Sequence, residues 1–160
     1  MIPSPKVVRI VTAWLTILLL ALNASAAELT GRVVSIADGD TLTVLVDRKQ
    51  VKVRLADIDA PERKQPYGTR SRQSLAELCH REQATVISRD KDRYGRVVGY
   101  VSCAGIDANA EQVRRGLAIV YERYANPGSP LYALQDAAKA ERRGLWTDAK
   151  SVPPWEWRRR

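Results

Sequence analysis

The chain is 160 residues long and basic, with 26 Lys and Arg against 18 Asp and Glu and a net charge of +8. That surplus favours a polyanionic partner, nucleic acid ahead of an anionic membrane surface. With one histidine and two cysteines there is no C-x-x-C metal pattern, and His80 beside Cys79 at a polar helix end does not make a nucleophile with its base.

The first residues read as a leader. Lys6 and Arg9 give a positive start, Ile10 to Leu22 is almost wholly apolar, and Ala24-Ser25-Ala26 offers an A-x-A cleavage site before Ala27. The apolar run is short for a membrane span. The expectation is a signal peptide over residues 1–26 and a periplasmic or secreted protein. The alternative is an uncleaved anchor that keeps the chain at a membrane. Residues 27–160, about 134 in number, suit one compact domain with a sizeable core. They finish in a basic tail, Arg158-Arg159-Arg160, which reads as a solvated end.

Strand signals dominate the first half of that domain. Thr30 to Ile36 and Thr41 to Val46 are rich in β-branched residues and are separated by the turn-prone Asp38-Gly39. Val51-Lys52-Val53-Arg54-Leu55 alternates, with Val51, Val53 and Leu55 inward and Lys52 and Arg54 on the other face. Helical spacing then places Leu75, Leu78 and Cys79 on one face of a helix from about Thr69 to Arg81. Strand character returns at Ala84 to Ser88 and Val97 to Ser102, with Tyr94-Gly95 in the turn between. A short helix is expected from Asn109 to Arg115, stopping at Gly116. The last helix takes Ser129 as its cap and Pro130 in its first turn, turns Leu131, Leu134 and Ala138 to the core, and ends at Gly144.

Trp146, Trp155 and Trp157, near Pro153-Pro154, are expected to pin the tail to the domain; stacking on bases is the other use of such residues. Five short strands with a helix after the third, and more helix at the end, fit a small closed barrel of the OB type, α+β and mainly β. Cys79 and Cys103 both lie beyond the leader. An even count in an exported chain points to one disulfide, from the end of a helix to the end of a strand. Two buried thiols are the alternative.

Three stretches carry the chemistry: Asp38-Gly39-Asp40-Thr41, the run from Arg54 to Glu62, and Asp92-Arg93-Tyr94-Gly95-Arg96. Asp40 and Asp59 lie at strand ends that a barrel can bring together. Two carboxylates, a backbone carbonyl and water suit Ca²⁺, which takes oxygen ligands. Asp38-Gly39-Asp40 on its own would read equally well as a plain turn. Pro61 fixes the backbone before Glu62, so a third carboxylate stands at a defined distance from Asp59, suited to taking a proton from water. Arg54 and Arg96 supply guanidinium forks for phosphate oxygens. Asp57 reads as an extra, solvated acid.

In these motifs the chain resembles the staphylococcal nuclease (thermonuclease) family from about Leu29 to Trp146. The family pattern DGDT, R-L-x-x-I-D-x-P-E, D-x-Y-G-R and G-L-A is present at Asp38–Thr41, Arg54–Glu62, Asp92–Arg96 and Gly116–Ala118. The resemblance implies an OB barrel with three helices and a Ca²⁺-dependent nuclease that cuts DNA and RNA to leave 3′-phosphates. It implies Asp40, Asp59 and the carbonyl of Ala60 as Ca²⁺ ligands, Glu62 as general base, and Arg54 and Arg96 on the phosphate. Tyr94 matches a nucleotide-contacting tyrosine, and Tyr124 aligns near the base-stacking positions. Ala60 stands where the best-known member has threonine, and the loop from Arg63 to Pro66 is shorter than in that member.

The expected partner is a DNA or RNA substrate, with no stable protein partner and a monomeric state. The alternative is an OB module that holds nucleic acid without cutting it. The intact set Asp40, Arg54, Asp59, Glu62 and Arg96 argues for the enzyme.

Overall fold

A computed structural model describes residues 27–160. The leader and its cleavage site lie outside the described residues. Three strands form a meander: β1 (Glu28–Ile36), β2 (Thr41–Val46) and β3 (Lys49–Leu55). β1 carries an irregularity between Val33 and Ser35. This explains why Val33 and Ile36, an odd spacing apart, are both buried, since an extra residue reverses the in–out phase of a strand. Leu42 and Val44 of β2 and Val53 and Leu55 of β3 fill the interior, while Lys52 faces solvent.

A two-residue strand β4 (Ile58–Asp59) and helix α1 (Gly68–Cys79) follow, then the long hairpin of β5 (Gln83–Lys91) and β6 (Val97–Cys103). The sheet runs β3-β2-β1-β5-β6, and β3 also pairs with β6 in parallel, Arg54 opposite Val98. That one parallel pairing closes a mixed five-stranded barrel of the OB type. A short β7 (Ile106–Asp107) extends the sheet, and β8 (Ile119–Val120) pairs with β4. Helices α2 (Ala108–Arg114) and α3 (Leu131–Ala140) bury Val113, Leu131 and Ala138. The last element, α4, is a single turn (Pro154–Trp157).

The expected last helix stops sooner than Gly144. It ends at Ala140, and the chain turns through Arg142 at a positive φ of 52° before Gly144 opens a 3-10 turn. Leu134 is only partly buried, and Gln135 takes the core position, accepting a hydrogen bond from the Val120 amide at 2.8 Å. Ser129 Oγ accepts weakly from the Leu131 amide, at 3.3 Å.

The disulfide is present: Cys79 ends α1, Cys103 ends β6, and their Cα atoms are 5.1 Å apart. It closes a separation of 24 residues and both half-cystines are fully buried. Reduction, or Cys79→Ala with Cys103→Ala, should lower unfolding stability by about 3 kcal/mol on the chain-entropy model. Urea denaturation with and without reductant measures this; equal midpoints would show that the link carries no stability.

Candidate active site

The Asp38–Asp40 turn is a fitted part rather than a generic loop. A Cβ on Gly39 would stand 1.7 Å from Ser71 Oγ of α1 and 2.9 Å from Ala60 Cβ, so only glycine permits the contact. Gln112 of α2 donates from Nε2 to the Gly39 carbonyl at 2.6 Å. The turn thereby delivers Asp40, which is buried. Its Oδ1 accepts from Thr41 Oγ1 at 2.8 Å, and its Oδ2 accepts from the Ala60 amide at 2.9 Å. Burial pushes the Asp40 carboxyl up to about 6, against the opposing pull of Arg54.

Arg54, on the outer face of β3, joins two carboxylates. Nη1 donates to Asp40 Oδ1 at 3.2 Å and Nη2 to Asp59 Oδ1 at 2.8 Å. Asp59, in β4, is wholly buried. Glu62 follows on a tight loop. Gln65 Oε1 accepts from the Glu62 amide at 3.1 Å, and the Glu62 carbonyl accepts from the Gln65 amide at 2.8 Å. The Glu62 side chain is 40% exposed.

Barrel closure brings in the far hairpin. Because Arg54 pairs with Val98, Arg96 lies two residues from Val98 on the same face of β6 or its approach. Asp92 organises the hairpin, accepting from the Tyr94 and Arg96 amides and, at 2.7 Å, from Arg96 Nε. Burial works against the Asp92 charge, but the hydrogen bonds from Arg96 prevail and lower its pKa.

One cleft of about 760 Å³ is lined by Asp40, Arg54, Ala60, Glu62, Tyr94, Arg96 and Tyr124. Asp59 lies against it through Arg54. Asp40, Arg54, Ala60, Glu62, Tyr94, Arg96 and Tyr124 thus meet in one cleft, and Tyr94 and Tyr124 are exposed in it. The donor set around Asp40, Asp59 and Ala60 is oxygen-only. Among the described residues no three His, Cys, Asp or Glu side chains gather into a metal-sized group, so a cation here would draw on two carboxylates, backbone and water.

The structure adds residues that sequence reasoning passed over. Asp57 is not solvated: it is 6% exposed, its carboxylate is ion-paired with Arg89, and its Oδ2 accepts from Tyr100 Oη at 2.5 Å. Arg89 sits at a register shift between Ser88 and Asp90 in β5, and its Nη2 also donates to the Tyr124 carbonyl at 2.9 Å. A bulge re-aims a side chain, which accounts for a strand residue clamping the tyrosine loop. Tyr121 lines the cleft and meets Tyr124 edge-on. Arg158, expected to be solvated, donates to Glu62 Oε1 and Asp59 Oδ2, each at 2.6 Å. These hydrogen bonds raise its pKa although burial opposes the charge.

Residues 52–148 match a family model described as "Staphylococcal nuclease homologue". The chain is 47% identical over 135 residues to an Escherichia coli protein described as an uncharacterized endonuclease, covering 84% of this chain and 88% of that one. It is 42% identical over 143 residues to a protein of Shigella flexneri called micrococcal nuclease, covering 83% and 82%. A staphylococcal-like nuclease of Arabidopsis thaliana is 34% identical over 111 residues, covering 69% and 34%.

The Asp57 network has a signature in alkali. Burial and the hydrogen bond to Asp57 raise the pKa of the Tyr100 hydroxyl. A raised folded-state pKa gives stability that is complete below the unfolded value and is lost as pH rises through the folded one. Wild type should therefore lose more stability than Tyr100→Phe between pH 8 and about pH 11, read by urea denaturation. Equal losses would mean that the hydroxyl is not held by Asp57.

Proposed function

The chain belongs to the staphylococcal nuclease family, and from that premise we propose that it is an exported, Ca²⁺-dependent nuclease. It hydrolyses phosphodiester bonds of DNA, RNA or both and leaves 3′-phosphate ends. The observation that carries the reading is the Arg54 fork: one guanidinium bonded to both Asp40 and Asp59 beside a cleft that Glu62 and Arg96 share.

Asp40, Asp59 and the carbonyl of Ala60 would hold Ca²⁺. The fit rests on donor chemistry: both carboxylates already converge on a single positive group, and a hard cation favours oxygen donors. Bound there, Ca²⁺ supplies positive charge to the phosphoryl oxygens. Glu62 takes a proton from the attacking water as the water oxygen bonds to phosphorus; the bond from phosphorus to the 5′ oxygen breaks, and that oxygen leaves as a hydroxyl with a proton from solvent. Arg54 and Arg96 bind the equatorial phosphate oxygens and stabilise the charge that grows there. Tyr94 and Tyr124, exposed at the rim, offer faces for nucleotides.

Export is supported by the Cys79–Cys103 disulfide, which persists in an oxidising compartment. With the leader removed, the domain works as a soluble monomer on nucleic acid.

Protein recovered from the medium or periplasm should begin at Ala27 and digest DNA or RNA with added Ca²⁺, stopping with chelator. Arg96→Ala should slow cleavage by roughly hundreds-fold, about 3–4 kcal/mol of transition-state stabilisation. Arg54→Ala should slow it as much and also lower stability, by about 3 kcal/mol, because Asp59 loses a buried partner. No digestion over a panel of divalent metals would overturn the nuclease reading. Full activity in Glu62→Gln would remove Glu62 from the role of base and leave binding without cutting as the second reading for the site.

A further inference from the structure

The segment after Pro153 ends in the cleft, and nothing in the catalytic reading requires it there. In α4 the Trp155 ring lies flat on Tyr121, with centroids 5.0 Å apart and planes 2° from parallel. Just upstream, Gln65 Nε2 donates to the Val152 carbonyl at 2.6 Å. Gln65 is the same residue that holds the Glu62 amide. These two anchors deliver Arg158 to the carboxylates. Its Nη2 donates to Asp59 Oδ2 and its Nη1 to Glu62 Oε1, both at 2.6 Å, with a longer bond from Nη1 to Asp59 Oδ1 at 3.3 Å. With Arg54 already on Asp59 Oδ1, both oxygens of a wholly buried carboxylate are taken by guanidinium groups.

We infer that Arg158 is a built-in rival of the divalent cation: it occupies the Asp59–Glu62 carboxylates until a cation displaces it, so that docking of segment 153–160 gates metal loading. The inference rests on the reading of Asp40 and Asp59 as the cation site. A guanidinium on Asp59 Oδ2 denies that oxygen to a metal, and the same guanidinium on Glu62 Oε1 holds one of the two carboxylate oxygens that would serve as base. Docked arginine and loaded site are therefore two states of one cradle. Charge-assisted hydrogen bonds are the strong class, so the arginine is a real competitor. Whatever free energy favours the docked state is subtracted from the apparent affinity for the cation. General positive charge does not explain the contact, because the adjoining Arg159 does not line the cleft.

Calcium titration calorimetry on the whole exported protein tests this with no reference to activity. Arg158→Ala should bind Ca²⁺ about tenfold tighter than wild type, and Arg159→Ala, which removes the same charge one residue on, should stay within about twofold. Trp155→Ala undocks the segment while keeping the arginine, and should also tighten binding. In wild type, Ca²⁺ should speed amide hydrogen exchange in residues 153–160. Equal affinities for wild type, Arg158→Ala and Trp155→Ala would overturn the gate and leave the cation reading standing. So would equal tightening by Arg159→Ala, or exchange that Ca²⁺ does not change. Failure of all four proteins to bind Ca²⁺ would defeat the cation reading itself, and the gate with it.

Discussion

Asp59 has no contact with solvent, and a carboxylate in such a place persists only where positive charge is brought to it. Arg54 brings that charge from the neighbouring strand and also reaches Asp40, so one side chain compensates two acids. Much of the surrounding architecture serves this fork. The Asp38–Asp40 turn is pressed against α1 where only glycine fits, and Gln112 fixes its carbonyl. The Asp40 carboxylate in turn accepts from the Ala60 amide, which ties the turn to the segment that carries Asp59 and Glu62. A lysine at position 54 would keep the charge but could not present two parallel donors to two acceptors.

The parallel pairing of β3 with β6 is the second constraint. Every other pairing in the main sheet is antiparallel, and only this one and that of β1 with β5 join strands that do not follow one another, so that the chain passes through α1 and around the barrel. It sets Arg54 opposite Val98 and so places the Asp92–Arg96 hairpin over the same cleft. The Cys79–Cys103 disulfide braces that route, because it links the end of α1 to the end of β6. Asn109 adds a polar tie, accepting from the Val101 amide and donating to the Ala56 carbonyl, each at 2.9 Å.

Sequence reasoning recovers what is periodic or locally forced. Thr41 to Val46 is found to the residue because β-branched side chains run between two turns, and Arg54 is assigned to the outer face by simple alternation. The motif residues converge because each sits at a strand end or hairpin that the barrel must bring together. Two-residue strands β4, β7 and β8 are too short to leave a period. The end of α3 is misplaced by four residues because Arg142, not Gly144, takes the first left-handed turn. Asp57 and Arg89 are missed for a related reason: a bulge in β5 re-aims the arginine, and a lone acid beside a motif carries no sign of its partner. Arg158 is hidden in a run of three like residues, and the stacking of Trp155 on Tyr121 together with the Gln65–Val152 hydrogen bond decides which of them enters the cleft. Trp155 pins the tail, as its setting beside Pro153-Pro154 predicts, and what it holds in place is an arginine in the site.

The Asp40–Arg54–Asp59 group is either a cation and phosphate site or a static ion-pair lock. A crystal structure grown with Ca²⁺, with its anomalous difference map, tests that most directly. A cation site gives one strong peak within ligand distance, roughly 2.3–2.6 Å, of carboxylate oxygens from both Asp40 and Asp59, with Arg158 no longer bonded to Asp59. A cation bound elsewhere, with both arginines still closed on Asp59, would contradict it.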